Sequence, residues 1–225
     1  ADNLRDHRHV TSLLNRITCR QEGVLVQPTL AFDERGHIPN TTCYTVLGWD
    51  DRERLPQGFF PVLEDFIGEG GSLDWPRTIV QNGAPTSVAG DTFAGYEALG
   101  GLRFPTVTLK PGQQRSWVLV LAVLDDASDA DAVADQYGSL QRFDQHLEQT
   151  KKAWSRTLDR LCIQTGDSRF DGWMRWVSCQ PILRRLLGNS FLPYHDYGRG
   201  GRGWRDLWQD ILAQMLMDRA DIADT

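Results

Sequence analysis

No two cysteines of this sequence stand close together. Cys19, Cys43, Cys162 and Cys179 are scattered over 225 residues without a CxxC pair, which argues against a zinc site and fits free thiols in a reducing cytoplasm. No apolar run is long enough to span a bilayer, and no signal peptide opens the chain. Basic charge is in deficit. With a net charge of −6, general attraction to nucleic acid is not expected. There is no internal repeat and no low-complexity tract. What remains is a hydrophobic content of 40% and a charged content of 24%, ordinary for a soluble globular protein of one large domain or two modest ones.

Tryptophan, by contrast, is plentiful. Five of the eight, Trp154, Trp173, Trp176, Trp204 and Trp208, fall in the last third. An indole buries a large area in any core, and its flat face also stacks on the C–H faces of sugars. The enrichment fits either a packed helical region or a carbohydrate site.

The first half has the pattern of β structure. Gly23–Pro28, Cys43–Leu47, Thr106–Leu109 and Ser116–Leu124 are short, rich in Val, Thr, Leu and aromatics, and punctuated by Gly, Pro, Asn and Asp. The run WVLVLAVL (117–124) is continuously apolar, as expected of a strand buried on both faces. No helical pattern alternates with these segments, so an antiparallel sandwich is expected and a parallel sheet is not. Residues 58–80 are rich in Pro, Gly and aromatics. They predict a long excursion from the sheet, either a functional loop or one packed on the sandwich edge.

The character changes near Asp125. From Ala132 to Ile163, Val133, Tyr137, Leu140, Phe143, Leu147, Trp154, Leu158 and Leu161 fall along one helix face, with a break expected at Gly138. A second helix is expected over Phe170–Leu187, with Trp173, Trp176, Val177 and Leu186 among its apolar members. Asp167 or Ser168 caps it, Pro181 kinks or interrupts it, and Gly188-Asn189 ends it. A third is expected over Arg205–Met217. The expected architecture is therefore mixed, β then α. An antiparallel β-sandwich (part) occupies 1–126, a helical linker 127–166, and further helices 167–225. Two helices bury too little surface to stand alone, so the helical part is expected to be incomplete in this chain.

The stretch YGRGGRGWRDLWQD (197–210) runs from glycines and arginines directly into that third helix. Glycines let backbone N–H groups approach a ligand, and a helix N-terminus favours an anion. Arg199 and Arg202 carry guanidinium groups suited to phosphate oxygens. Asp206 and Asp210 stand four apart, on one helix face, beside Arg205. The glycines follow neither the P-loop nor the dinucleotide pattern. Residue chemistry alone fits both an anion-and-sugar site and an ordinary helix start with a solvated arginine loop.

Trp204-Arg205-Asp206-Leu207-Trp208-Gln209-Asp210 resembles the Arg-Asp-x-x-Gln-Asp motif of the inverting glycoside phosphorylases, the group of cellobiose, cellodextrin and chitobiose phosphorylases and the related β-glucan phosphorylases. Residues 147–167 (LEQTKKAWSRTLDRLCIQTGD) are similar to the linker helix of that family, and 170–180 (FDGWMRWVSCQ) to its first barrel helix. Residues 65–79 (DFIGEGGSLDWPRTI) are similar to an excursion of its sandwich.

The resemblance implies a β-sandwich, a helical linker and the first helices of an (α/α)₆ barrel. The implied activity is reversible phosphorolysis of a β-glucoside with inversion, giving α-glucose 1-phosphate. Arg205 and Asp206 would then bind the non-reducing-end sugar, with Trp204, Gln209 and Asp210 supporting, and Arg199 or Arg202 would meet phosphate. The general-acid Asp of the family lies downstream of this chain, so no catalytic residue is expected within it. The chain by itself is expected to be inactive. No metal or cofactor is implied, with inorganic phosphate as co-substrate. The implied partners are an oligosaccharide and phosphate, with a homodimer when full length or association with the remainder of the barrel. The family's disaccharide enzymes tend to have small polar residues where Leu207 and Trp208 stand, so a long-chain β-glucan is as compatible as cellobiose. Two other functions fit the same residues: a non-catalytic carbohydrate-binding module and an (α/α)₆ glycoside hydrolase.

Overall fold

The computed structural model describes residues 12–33, 36–187 and 204–217. Its strands pair antiparallel throughout. A short 3₁₀ turn, Ser12–Leu14, leads into β1 (Asn15–Cys19), which turns back into β2 (Gly23–Pro28). A separate hairpin follows, β3 (Leu30–Asp33) with β4 (Gly36–Pro39). β5 (Cys43–Asp50) lies beside β2, and β9 (Trp117–Leu124) pairs with β5 at every position from Cys43↔Leu124 to Asp50↔Trp117. β7 (Thr92–Ala94) adds to the far edge of β1, giving an open five-stranded sheet in the order β7-β1-β2-β5-β9. β6 (Gly58–Val62) and β8 (Ala98–Arg103) form a two-stranded sheet of their own.

Alternation sorts the side chains of the five-stranded sheet onto two faces. On one face Ile17, Cys19 and Val24 bury against Phe59 of β6, with Val26, Phe93, Ala98 and Leu102 around them. On the other, Leu25, Cys43 and Leu124 meet Ala130, and Leu47, Trp49 and Val118 meet Val133 and Ala134. Those alanines and the valine belong to α3 (Asp129–Tyr137). Each large apolar side chain buried this way contributes about 1.5–3 kcal/mol. The close approach of β8 to β5 requires glycine. A Cβ on Gly100 would stand 2.4 Å from Val46, and one on Gly48 would stand 2.5 Å from Leu102. The chain is thus mixed α/β, with antiparallel sheets and several helices.

The end of β5 is fixed by one buried carboxylate. Asp50 is 2% exposed. Its Oδ1 accepts the Arg52 and Arg54 amides at 2.9 Å, and its Oδ2 accepts the Arg54 side chain at 2.7 Å and Arg115 at 3.1 Å. Arg115 also pairs with Asp51 at 2.6 Å. One carboxylate thereby closes the turn after β5 and holds the segment entering β9.

The chain divides into two compact units, Asp2–His146 and Leu147–Thr225. The excursion over 58–80 opens with the buried strand β6 and only then leaves the sheet, through α1 (Leu63–Ile67) and α2 (Arg77–Val80). Pro61 is tolerated in β6 because the pairing is irregular between Phe60 and Val62. The strand expected over Thr106–Leu109 does not form. Pro105 and Pro111 flank it, and a turn closes at Lys110–Gln113, with an N–H···O distance of 2.9 Å. β9 forms as expected but is covered on one face only. Leu119, Leu121 and Val123 are 57%, 78% and 69% exposed.

α3 ends at Gly138, where the break was expected, and Ser139 Oγ accepts the Arg142 amide at the start of α4 (Leu140–Leu158). In the second unit, α5 (Ser168–Leu187) is capped by Asp167, whose Oδ1 accepts the Arg169 amide at 2.9 Å and the Phe170 amide at 3.3 Å. Asp171 reaches back to the Thr165 hydroxyl at 2.7 Å and amide at 2.9 Å. Pro181 does not interrupt α5, which runs through it. α6 (Trp204–Met217) packs on α5 and starts one residue before the expected position. No described helix is long and apolar enough to cross a membrane.

Two predictions follow from these contacts. Burial alone raises the Asp50 pKa. Hydrogen bonds from the Arg54 side chain and from the Arg54 and Arg52 amides outweigh it and hold the carboxyl at about 2, below its ordinary 3.8. The folded value is depressed, so Asp50 stabilises the fold fully above about pH 4 and loses that contribution as pH falls toward about 2. Asp50→Asn should cost about 3 kcal/mol at neutral pH. It should also flatten the acid-side fall of the thermal midpoint, and equal falls in both proteins would refute the assignment. Asp167→Ala should cost about 1 kcal/mol by removing the α5 cap, as read from chemical denaturation followed by circular dichroism.

Candidate functional site

The motif recognised in the sequence forms the first two turns of α6. Its positions fall into three i, i+4 pairs along the helix: Trp204 with Trp208, Arg205 with Gln209, and Asp206 with Asp210. Of these, the side chains of Trp208, Gln209 and Asp210 are described.

At the second turn these three differ in surroundings. Asp210 is buried, at 8% exposure, whereas Trp208 is 55% exposed and Gln209 is exposed. Asp210 and Trp208 are both engaged in interactions. Asp210 is therefore turned into the protein and Trp208 outward. Such a helix offers a carboxylate and an amide as acceptors for hydroxyl groups, and an indole face for a C–H surface. Arg199 and Arg202 lie outside the described residues, as do the side chains of Trp204, Arg205 and Asp206. The structure brings Gln209 and Asp210 together on one helix turn and leaves the phosphate-binding arginines undescribed.

Aromatic residues on α5, which the sequence left open between packing and sugar stacking, form an exposed surface. Phe170, Trp173 and Trp176 are 43%, 56% and 60% exposed. The Phe170 and Trp173 ring centroids lie 5.7 Å apart. Their spacing of three was the available signal, and the helix pattern alone did not say whether that face meets a core or a ligand. Beside this surface, a groove of about 450 Å³ runs between the end of α4 and the start of α5, lined by Leu158, Leu161, Cys162, Met174 and an Arg175–Asp159 ion pair.

The three buried thiols are poor nucleophiles. Burial, with Asp91 adding to it, pushes Cys19 up to about 11, and burial also raises Cys43 and Cys179. All four cysteines are free. Among the described residues, no group of three His, Cys, Asp or Glu side chains is placed to hold a metal ion. No family model matches the chain, and no curated protein matches it either.

Proposed function

We propose that the chain is part of an inverting glycoside phosphorylase, a glycosyltransferase-type enzyme that cleaves a β-glucoside with inorganic phosphate. The substrate is a cello- or other β-glucan oligosaccharide and the product is α-glucose 1-phosphate. The observation that carries the reading is the helical Arg-Asp-x-x-Gln-Asp stretch. It opens α6, with a buried carboxylate one turn below an Arg-Asp pair. On this reading the first unit is part of a β-sandwich, α4 is the linker helix, and α5 and α6 are the first helices of an (α/α)₆ barrel.

The chemistry explains the grouping. Phosphate is already an anionic nucleophile. One of its oxygens forms the new bond to the anomeric carbon while the glycosidic C–O bond breaks, and a general acid protonates the departing oxygen. A hydrolase needs a second carboxylate to activate water. A phosphorylase needs cationic groups to neutralise and aim phosphate. Arg199 or Arg202 fills that role. Arg205 and Asp206 hold the sugar, with Trp204, Gln209 and Asp210 in support. The general acid lies outside these residues. Phosphate and sugar phosphates place the activity in the cytoplasm, and no cofactor enters the reaction.

Incubating the complete protein with inorganic phosphate and a panel of β-linked glucose oligosaccharides should release α-glucose 1-phosphate. Free glucose without sugar phosphate would make the protein a hydrolase. Arg205→Ala should lower kcat/KM by about 100-fold, corresponding to about 3 kcal/mol of transition-state stabilisation, with circular dichroism and thermal midpoint unchanged. Normal turnover in that variant would overturn the site. The exposed Phe170, Trp173 and Trp176 favour a second reading, a non-catalytic carbohydrate-binding module. Sugar binding that is indifferent to phosphate, with no turnover, would select it.

A further inference from the structure

We propose that Asn82 is a self-modification site, where the chain converts its own asparagine to aspartate and isoaspartate at a rate set by the end of α2 and by Arg103. Asn82-Gly83 is the one Asn-Gly pair in the sequence, and Asn82 is exposed to water. Glycine has no side chain to shield its nitrogen, and the attack lies within the chain, so no second molecule has to be brought to it. The Gly83 nitrogen gives up its proton to solvent base and attacks Cγ of Asn82. A new C–N bond forms, the bond from Cγ to Nδ2 breaks, and the nitrogen leaves as ammonia with a proton from water. The product is a cyclic imide, which water then opens. Opening at Cγ leaves an aspartate in an ordinary backbone. Opening at the main-chain carbonyl leaves an isoaspartate, whose backbone is longer by one carbon.

The native turn holds this reaction back. α2 closes with Gln81 as its C-cap. Asn82 follows at φ 49°, in the left-handed region that asparagine tolerates better than most side chains. The Asn82 amide donates to the Ile79 carbonyl at 3.2 Å, and the Gly83 amide donates to the Thr78 carbonyl at 2.8 Å. These are the two bonds of a Schellman helix end. The proton that the attacking nitrogen must lose is therefore committed to Thr78. The group under attack is held as well. Arg103, the last residue of β8, donates from Nη2 to Asn82 Oδ1 at 2.7 Å. That charge-assisted bond ties the carboxamide to the sheet and opposes the rotation that brings Cγ over the Gly83 nitrogen. It also polarises the carbonyl, but polarisation helps only when the nitrogen is free to attack. Imide formation therefore waits for local opening of the turn.

The same contacts say what the modification changes. An aspartate at position 82 faces Arg103 as an ion pair and keeps the turn tied to β8. An isoaspartate inserts a backbone carbon between the two amides of the helix end, so the bonds to Ile79 and Thr78 no longer close together. The chain returns from the excursion at this turn, shortly before Ser87 pairs with Phe59 of β6. The isoaspartate product therefore loosens the attachment of α2 to the sheet, and the aspartate product does not.

The test incubates the 225-residue chain in mildly alkaline buffer, folded or denatured in guanidinium, and follows it by mass spectrometry. Trypsin releases residues 78–103, in which Asn82 is the one asparagine. In the denatured chain this peptide should gain the mass of an amide-to-acid conversion and separate into two chromatographic forms. The folded chain should convert at least about tenfold more slowly, and folded Arg103→Leu about tenfold faster than the folded wild type, as expected for loss of a hydrogen bond to a charged group. Asn82→Gly should abolish the mass gain while leaving the circular dichroism spectrum unchanged. The proposal is overturned if residues 78–103 do not convert in the denatured chain, or if the folded chain converts as fast as the denatured one. It is also overturned if folded Arg103→Leu converts no faster than the wild type. Should Arg103→Leu fail to fold, the wild-type comparison of folded with denatured chain still decides.

Discussion

Strand β5 is the constraint on which the first unit depends. It is hydrogen-bonded along both edges, to β2 and to β9. It is also packed on both faces, with Cys43, Leu47 and Trp49 toward the α3 side and Val46 and Gly48 toward β8. Its last residue, Asp50, then binds two arginines and two backbone amides at once. A buried carboxylate is costly unless every lone pair is used, and here the partners come from the turn after β5 and from Arg115, just before β9. The same ionised group therefore fixes where β5 stops and where β9 begins. That fixes the eight-residue register between them, and with it the side of the sheet onto which the residues of β9 point.

Much of this was legible in the sequence, for identifiable reasons. Gly23–Pro28 and Cys43–Asp50 declare themselves because β-branched residues stand between turn residues. The Gly138 break and the Asp167 cap are local signals that tertiary structure had no reason to override. The misreadings concern partners. Thr106–Leu109 has strand composition but sits between two prolines, with no described neighbour to pair with. β6 was hidden because Pro61 and Gly58 are turn residues in isolation, and only the irregular pairing with β8 makes room for the proline. The apolar run of β9 promised two buried faces. Its composition was read correctly, but β8 stops short of covering the second face.

The helical unit shows the same division between local and non-local information. The start of α6 follows from the sequence, since a glycine-rich stretch followed by an amphipathic segment marks a helix entry. Periodicity also gives the pairing of Asp206 with Asp210. Which side turns inward is not a local property. It depends on how α6 packs on α5, and the structure answers at the second turn, where Asp210 is buried beside an exposed Gln209 and Trp208. The exposure of Phe170, Trp173 and Trp176 was not legible in the sequence for a related reason. A helix face is apolar in sequence whether it meets a neighbour or a ligand, and periodicity does not distinguish the two.

The burial of Asp210 weighs against reading the motif as a solvated helix start. A carboxylate taken out of water loses hydration that a surface position would have kept, and an acidic residue whose only task is to favour the helix dipole gains nothing from burial in the second turn. Under the proposed function, its value is that it is held still. A carboxylate fixed within the fold accepts hydrogen bonds with little reorganisation, and a site that must discriminate among hydroxyl groups needs that property. The exposed glutamine beside it then supplies both a donor and an acceptor, and the exposed indole supplies a flat apolar surface. Under the proposed function, these are three chemistries that a sugar can use: acceptors for its hydroxyl groups, a donor, and a flat face for its C–H surface. An anion site alone would require neither the buried acid nor the tryptophan.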